Sequence, residues 1–193
     1  MKNYILTATL AVSAALAGAT AAHAGETFAD PTIADGLAAF PAALQETVSD
    51  CLNGESSSRA IRACSKTIRA SVPNDELRAH LYTRRALHKM ALGRFDDAAS
   101  DFSRAGNLSG NSDLGSLGQG FAAMMDKDLT TAQASFRMSA EDAATAPLAE
   151  YGLGLTHQMA GETDEARNAY ERALTLRPGW DAVTERMDAL DPQ

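Results

Sequence analysis

The chain has 193 residues, of which 45% are hydrophobic and 6% aromatic, and its formal net charge is −8. This composition excludes collagen-like, low-complexity and membrane-embedded chains, and the length suits one domain or one short array of repeats. The acidic balance argues against general binding to nucleic acid.

Residues 1–24 have the pattern of a secretory signal peptide. Lys2 supplies a positive start, residues 4–17 are apolar, and a small-x-small cleavage site ends at Ala24. A buried or membrane-spanning helix is the alternative, but the apolar run is short and rich in Ala and Thr. We therefore predict cleavage before Gly25, a periplasmic or secreted protein, and no membrane span elsewhere.

The segment after the cleavage site predicts a tail followed by a short helix hairpin. Residues 25–40 have mixed polarity and are expected to be flexible. Residues 41–78 are expected to form a degenerate repeat, with helices near residues 41–52 and 59–68. The second of these helices carries a basic stripe at i, i+3, i+7 and i+10, formed by Arg59, Arg62, Lys66 and Arg69. Such a stripe is either a solvated helix face or a docking surface for an anionic partner.

Cys51 and Cys64 are the two cysteines of the chain. An even pair in an exported protein is more often a disulfide than two free thiols, and closing this loop would stabilise the fold by roughly 3 kcal/mol. Two buried unpaired thiols are the alternative. Neither cysteine has another Cys or a His at ligand spacing, so no metal site is predicted.

An internal repeat follows, because residues 79–112, 113–146 and 147–180 align without a gap. Small residues recur at the eighth and twenty-seventh positions, alanine at the twentieth, and an aromatic residue at the twenty-fourth. Small residues let antiparallel helices approach closely, and one ring per unit fills the space between hairpins. Each unit is thus predicted to be a helix, a turn and a helix. In chain order the four positions are Ala86, Ala98, Phe102 and Ala105; Gly120, Ala132, Phe136 and Ser139; and Gly154, Ala166, Tyr170 and Ala173.

This pattern resembles the tetratricopeptide repeat family, and residues 147–180 are the clearest match. A cysteine pair followed by repeats is similar to exported bacterial members of that family. The resemblance implies an all-α, right-handed superhelix of antiparallel helix hairpins. It also implies a scaffold that binds a protein or peptide partner.

The end of the chain, residues 181–193, predicts a capping helix and the C-terminus. Asp188 stands where a further repeat would need a small residue, so the array is expected to end with a helix that is polar on its outer face. Its inner face would be an apolar stripe of Trp180, Val183, Met187 and Leu190.

In helix-hairpin stacks the first helices line a concave side, so helical spacing predicts which residues face a binding groove. A groove lined by Met, Leu and aromatic side chains suits adaptable binding of an apolar segment. The alternative is that neighbouring helices or the tail cover these residues as core. The candidate groove residues are Thr83, Leu87, Leu117, Phe121, Met124, Tyr151, Leu155 and Met159.

Nothing in the sequence predicts a catalytic residue, a cofactor or a metal. His80, His88 and His157 lie in no metal-protease pattern, and the glycines near residues 115–120 follow no strand and precede no Lys-Ser/Thr pair. The predicted function is therefore non-catalytic protein or peptide binding in the envelope or outside the cell. The alternatives are an accessory envelope enzyme with a site between array and tail, and a structural protein that associates with itself.

Overall fold

The computed structural model describes residues 40–70, 72 and 74–190. The predicted signal peptide, and the predicted tail except Phe40, lie outside the described residues. Helices dominate the described ranges, and these contain no strand, which confirms the predicted all-α fold class. In chain order the helices of this part are α1 (Ala42–Asn53), α2 (Ser58–Arg69), α3 (Asp75–Ala91), α4 (Phe95–Ser109), α5 (Ser112–Met125), α6 (Leu129–Ser139), α7 (Ala146–Ala160), α8 (Thr163–Leu176) and α9 (Asp181–Asp188).

Four of the described helices, α2, α3, α5 and α6, start at a residue whose side chain caps the first turn. The side chains of Asn74, Asn111 and Asp128 each accept a hydrogen bond from the backbone amide three residues later. These caps satisfy amides that have no partner within the helix. Asn74 and the acidic residues after it set the start of α3 at Asp75, four residues before the predicted start of the first repeat.

The turns inside the three repeats share one backbone geometry. Gly93, Lys127 and Gly161 occupy matching positions, and their φ angles are 72°, 67° and 79°. Glycine adopts this left-handed conformation without strain, whereas a residue with a side chain seldom does. The repeat therefore keeps its turn even where Lys127 replaces the glycine.

Each helix packs mainly on its neighbours in the sequence, from α1 on α2 to α8 on α9. The described part is thus a linear stack of hairpins. In addition, α5 packs on α7, which brings the first helices of two successive repeats together. None of the described helices combines the length and the apolar character that crossing a bilayer requires.

The packing within and between repeats depends on contacts of aromatic rings with glycine. A Cβ atom on Gly152 would lie 2.5 Å from the ring of Phe136, and a Cβ on Gly120 would lie 2.7 Å from the same ring. Gly154 approaches the ring of Tyr170 in the same way. These distances are too short for any side chain, so the small residue at the eighth position admits the aromatic ring of its own repeat, as the pattern predicts.

Two apolar clusters hold the stack together. The larger one runs through the repeats from α3 to α9, where Val183 is fully buried. The smaller one surrounds the disulfide in the N-terminal hairpin and includes Leu77 and Leu81 of α3. Phe40, which we expected to belong to a flexible tail, is buried in this smaller cluster. The boundary of any tail therefore lies before Phe40.

Candidate functional site

Most of the predicted groove lies inside the core. Phe121 is 1% exposed, and its ring meets the ring of Phe136 edge to face at a centroid distance of 4.8 Å. The prediction of an open groove is therefore wrong at these positions. The ring that Phe121 contacts belongs to α6, the second helix of the same unit, so this side of α5 packs within its own hairpin and does not form an open face. The groove candidates that are buried are Leu117, Phe121, Met124, Tyr151 and Leu155.

The C-terminal end of the predicted groove is closed by the last helix. The ring of Tyr151 lies 5.1 Å from the ring of Trp180 and 6.0 Å from that of Tyr170, measured between centroids. Arg177 covers the outer face of this group, with its guanidinium 4.8 Å from the Trp180 centroid. The capping segment thus occupies the surface on which a further repeat would stack.

Three groove candidates remain accessible. Thr83 and Leu87 on α3 are half-buried, and Met159 near the end of α7 is 50% exposed. The Thr83 hydroxyl donates a hydrogen bond to the carbonyl of Ala79, so its own hydrogen-bonding need is met within the helix. The accessible part of the predicted surface is therefore smaller and less aromatic than the sequence indicates.

A sequence profile of the tetratricopeptide repeat matches residues 147–180, which comprise α7, α8 and the turns beside them. The chain is similar to the tetratricopeptide repeat over this segment. This match coincides with the third unit of the internal repeat. No curated protein and no solved structure matches the chain.

The first repeat unit, residues 79–112, contains a buried ionic cluster that the sequence pattern did not predict. The Asp101 carboxylate on α4 is 1% exposed and accepts two hydrogen bonds from Arg85, both at 2.7 Å. It accepts a third from Lys89 Nζ at 2.6 Å. Arg85 also donates to the Ser65 hydroxyl on α2 at 3.0 Å. Arg85 and Lys89 occupy the hydrogen-bonding positions around the buried Asp101 carboxylate, which leaves no room for a substrate. The cluster therefore has a structural role, because it joins α2, α3 and α4.

The N-terminal hairpin contacts the first repeat unit beside the disulfide. Cys51 and Cys64 are bonded to each other and fully buried, which confirms the predicted pairing. His88 on α3 lies between the two parts: Nε2 is 2.9 Å from the Cys51 carbonyl, and Nδ1 is 3.1 Å from the Ser56 hydroxyl. Because a carbonyl oxygen only accepts, Nε2 is the donor in this contact. His88 is therefore a buried packing residue.

Two further polar groups in the matched repeat also have structural partners. His157 Nδ1 lies 2.6 Å from a carboxylate oxygen of Glu162, in the turn between α7 and α8. The Tyr170 hydroxyl donates to Gln158 at 2.9 Å, and burial raises the pKa of Tyr170 far above its ordinary value. Within the described ranges, no group of three or more His, Cys, Asp or Glu side chains is placed to hold a metal ion.

The predicted basic stripe lies on the solvent face of α2, and all four of its side chains are exposed. Arg59 donates two hydrogen bonds to the carboxylate of Asp50 on α1, at 2.9 and 3.0 Å. The other three cations, Arg62, Lys66 and Arg69, form no ion pair with any residue that the structure describes. The stripe is therefore a positive surface of which one cation, Arg59, is paired, with Asp50 and Glu46 on α1.

Proposed function

We propose that the chain is a non-catalytic periplasmic or secreted protein that binds a protein or peptide partner. The observation that carries this proposal is the tetratricopeptide repeat at residues 147–180 within a stack of helix hairpins, a unit associated with protein–protein interaction. Binding, rather than chemistry, is also favoured by the buried polar groups, because Asp101, His88 and Tyr170 are each engaged in holding helices together.

The partner contacts the first-helix side of the stack at its accessible residues, Thr83, Leu87 and Met159. Met159 is the most exposed of these, and an unbranched, polarisable side chain can adapt to different apolar surfaces. Leu87 lies at the edge of the larger cluster, so a partner that covers it extends an existing apolar surface. The partner therefore presents an apolar segment to this side.

Site-specific photo-crosslinking in intact cells tests the surface. A photoreactive residue at Met159 reports on the first-helix side, and the same residue at Met138 is the control, because Met138 is 59% exposed on the second helix of its unit. We expect one discrete crosslinked partner from position 159 and none from position 138. Equal products from both positions, or no product from position 159, would refute the assignment of the binding side.

The location is a separate part of the proposal and is supported by the signal-peptide pattern of residues 1–24. Protein recovered from the periplasm or the medium should have the intact mass of a chain that begins at Gly25, less two hydrogens for the disulfide. Recovery of the uncleaved chain from the cytoplasm would refute export.

A further inference from the structure

The last helix, α9, carries a row of acidic side chains on its exposed face. Asp181, Glu185 and Asp188 lie at i, i+4 and i+7 and are all exposed. None of the three forms an ion pair with a residue in the described ranges. At a rise of 1.5 Å per residue, the row extends about 10 Å along the helix. It is an unneutralised negative surface.

The basic stripe on α2 contains a row of the same length and opposite sign. Arg62, Lys66 and Arg69 also lie at i, i+4 and i+7, and these are the three cations of the stripe that have no ion pair in the described part of the chain. Two helical rows with equal spacing can place each cation within reach of one carboxylate. The match holds for parallel and for antiparallel helices. Read in the opposite direction, the row i, i+4, i+7 becomes i, i+3, i+7, so only the middle residue shifts, by one position.

The two rows lie in the first and the last hairpin elements of the stack. Because the helices pack in chain order, α2 and α9 are at opposite ends and do not neutralise each other within one molecule. The charge of the surrounding chain differs in the same direction, although less strongly than the rows themselves: residues 40–104 carry 10 basic and 8 acidic side chains, whereas residues 105–190 carry 6 basic and 13 acidic ones. Each molecule is therefore an electrostatic dipole along its stack.

We propose that the occupant of each row is a second copy of this chain, with the basic row on α2 of one copy against the acidic row on α9 of the next. The contact uses two different surfaces, so it is head-to-tail and continues into short chains of molecules or closes into a ring. Exposed ion pairs are individually weak and are screened by salt, so the association is reversible and is seen at high protein concentration and low ionic strength. It does not depend on the partner binding proposed above.

Charge reversal tests the contact on the full mature chain. One variant, Lys66→Glu with Arg69→Glu, leaves both rows acidic; the other, Glu185→Lys with Asp188→Lys, leaves both rows basic. Asp181 is kept because an acid in the first turn stabilises a helix. By sedimentation velocity at low salt, the wild-type mass should increase with concentration. Each variant alone should associate about tenfold more weakly or not at all.

Mixing the two variants is the decisive measurement. Each reversed row then meets its complement on the other variant, so association should return in the mixture and disappear at high salt. A misfolded variant would not be rescued by mixing, and circular dichroism verifies the fold of each. The control, Asp126→Lys with Glu141→Lys, makes the same change in net charge as the basic variant at exposed sites of the middle repeat and should leave association unchanged.

The proposal is overturned if the wild-type protein is monomeric at every concentration at low salt, which would identify both rows as solvated faces. It is also overturned if either reversal leaves association unchanged, or if two folded variants fail to associate when mixed. Binding of an acidic protein to the wild-type α2 row without any self-association would assign that row to a different partner.

Discussion

Replacing Asp101 by Asn should destabilise the protein more than any exposed charge substitution. The change leaves Arg85 and Lys89 buried around a neutral amide, after the loss of a carboxylate that accepts hydrogen bonds at 2.7, 2.7 and 2.6 Å. Removing one partner of a buried ion pair costs about 3–5 kcal/mol because the remaining charge is uncompensated. The side chains of Arg85 and Lys89 are 12% and 10% exposed, so water can partly solvate their charges in the variant. We therefore expect the free energy of unfolding to fall by about 3 kcal/mol, at the lower end of this range.

The matched control is Asp97→Asn on the same helix. Asp97 is 53% exposed and pairs with Arg94 at 2.7 Å, an exposed i,i+3 contact worth at most about 1 kcal/mol. Urea unfolding at neutral pH, followed by circular dichroism, gives both free energies of unfolding. A loss below about 1 kcal/mol for Asp101→Asn, or equal losses for the two variants, would refute the reasoning that α4 is held by a buried charge.

Three further substitutions test the core. Phe121→Ala should lower the free energy of unfolding by about 3–5 kcal/mol, because it leaves a cavity beside Phe136. A loss below about 1 kcal/mol in urea unfolding would contradict the burial of Phe121. Gly152→Ala should lower the free energy of unfolding by about 1–3 kcal/mol, because the added Cβ would lie 2.5 Å from the Phe136 ring. An unchanged free energy of unfolding would show that the Phe136 ring can move aside without loss of stability. Cys51→Ser should cost about 2–4 kcal/mol, and peptide mapping that finds Cys64 free in the native wild-type protein would contradict this.

The repeat architecture could be predicted because its determinants are local. A ring and a glycine at fixed positions specify how two helices approach, and a left-handed residue specifies the turn. Lys127 shows how strong this local specification is, because the middle turn keeps its geometry without a glycine. The disulfide between Cys51 and Cys64 was predictable for a similar reason, since two cysteines permit one internal pairing.

The open groove was not predictable from periodicity. Helical spacing gives the face on which Leu117 and Phe121 lie, but not the number of helices that pack on that face. The ring of Phe121 packs on Phe136 of α6, and the spacing of apolar residues within α5 alone does not specify that contact. The Asp101 cluster was missed because its partners lie 12 and 16 residues away on another helix. Lys89 was the available signal, since it stands at a position that packs within the repeat.

The two ends of the stack are stabilised by different interactions, so we expect local unfolding to begin at the C-terminal end. A covalent bond between Cys51 and Cys64 and the contacts of His88 hold the first hairpin, whereas α9 is held by Val183 and by ring contacts around Trp180. In a stack whose units contact only their neighbours, an end unit can open without disturbing the middle. Backbone amides of α9 should therefore exchange with deuterium first, and protection should increase toward the central repeats.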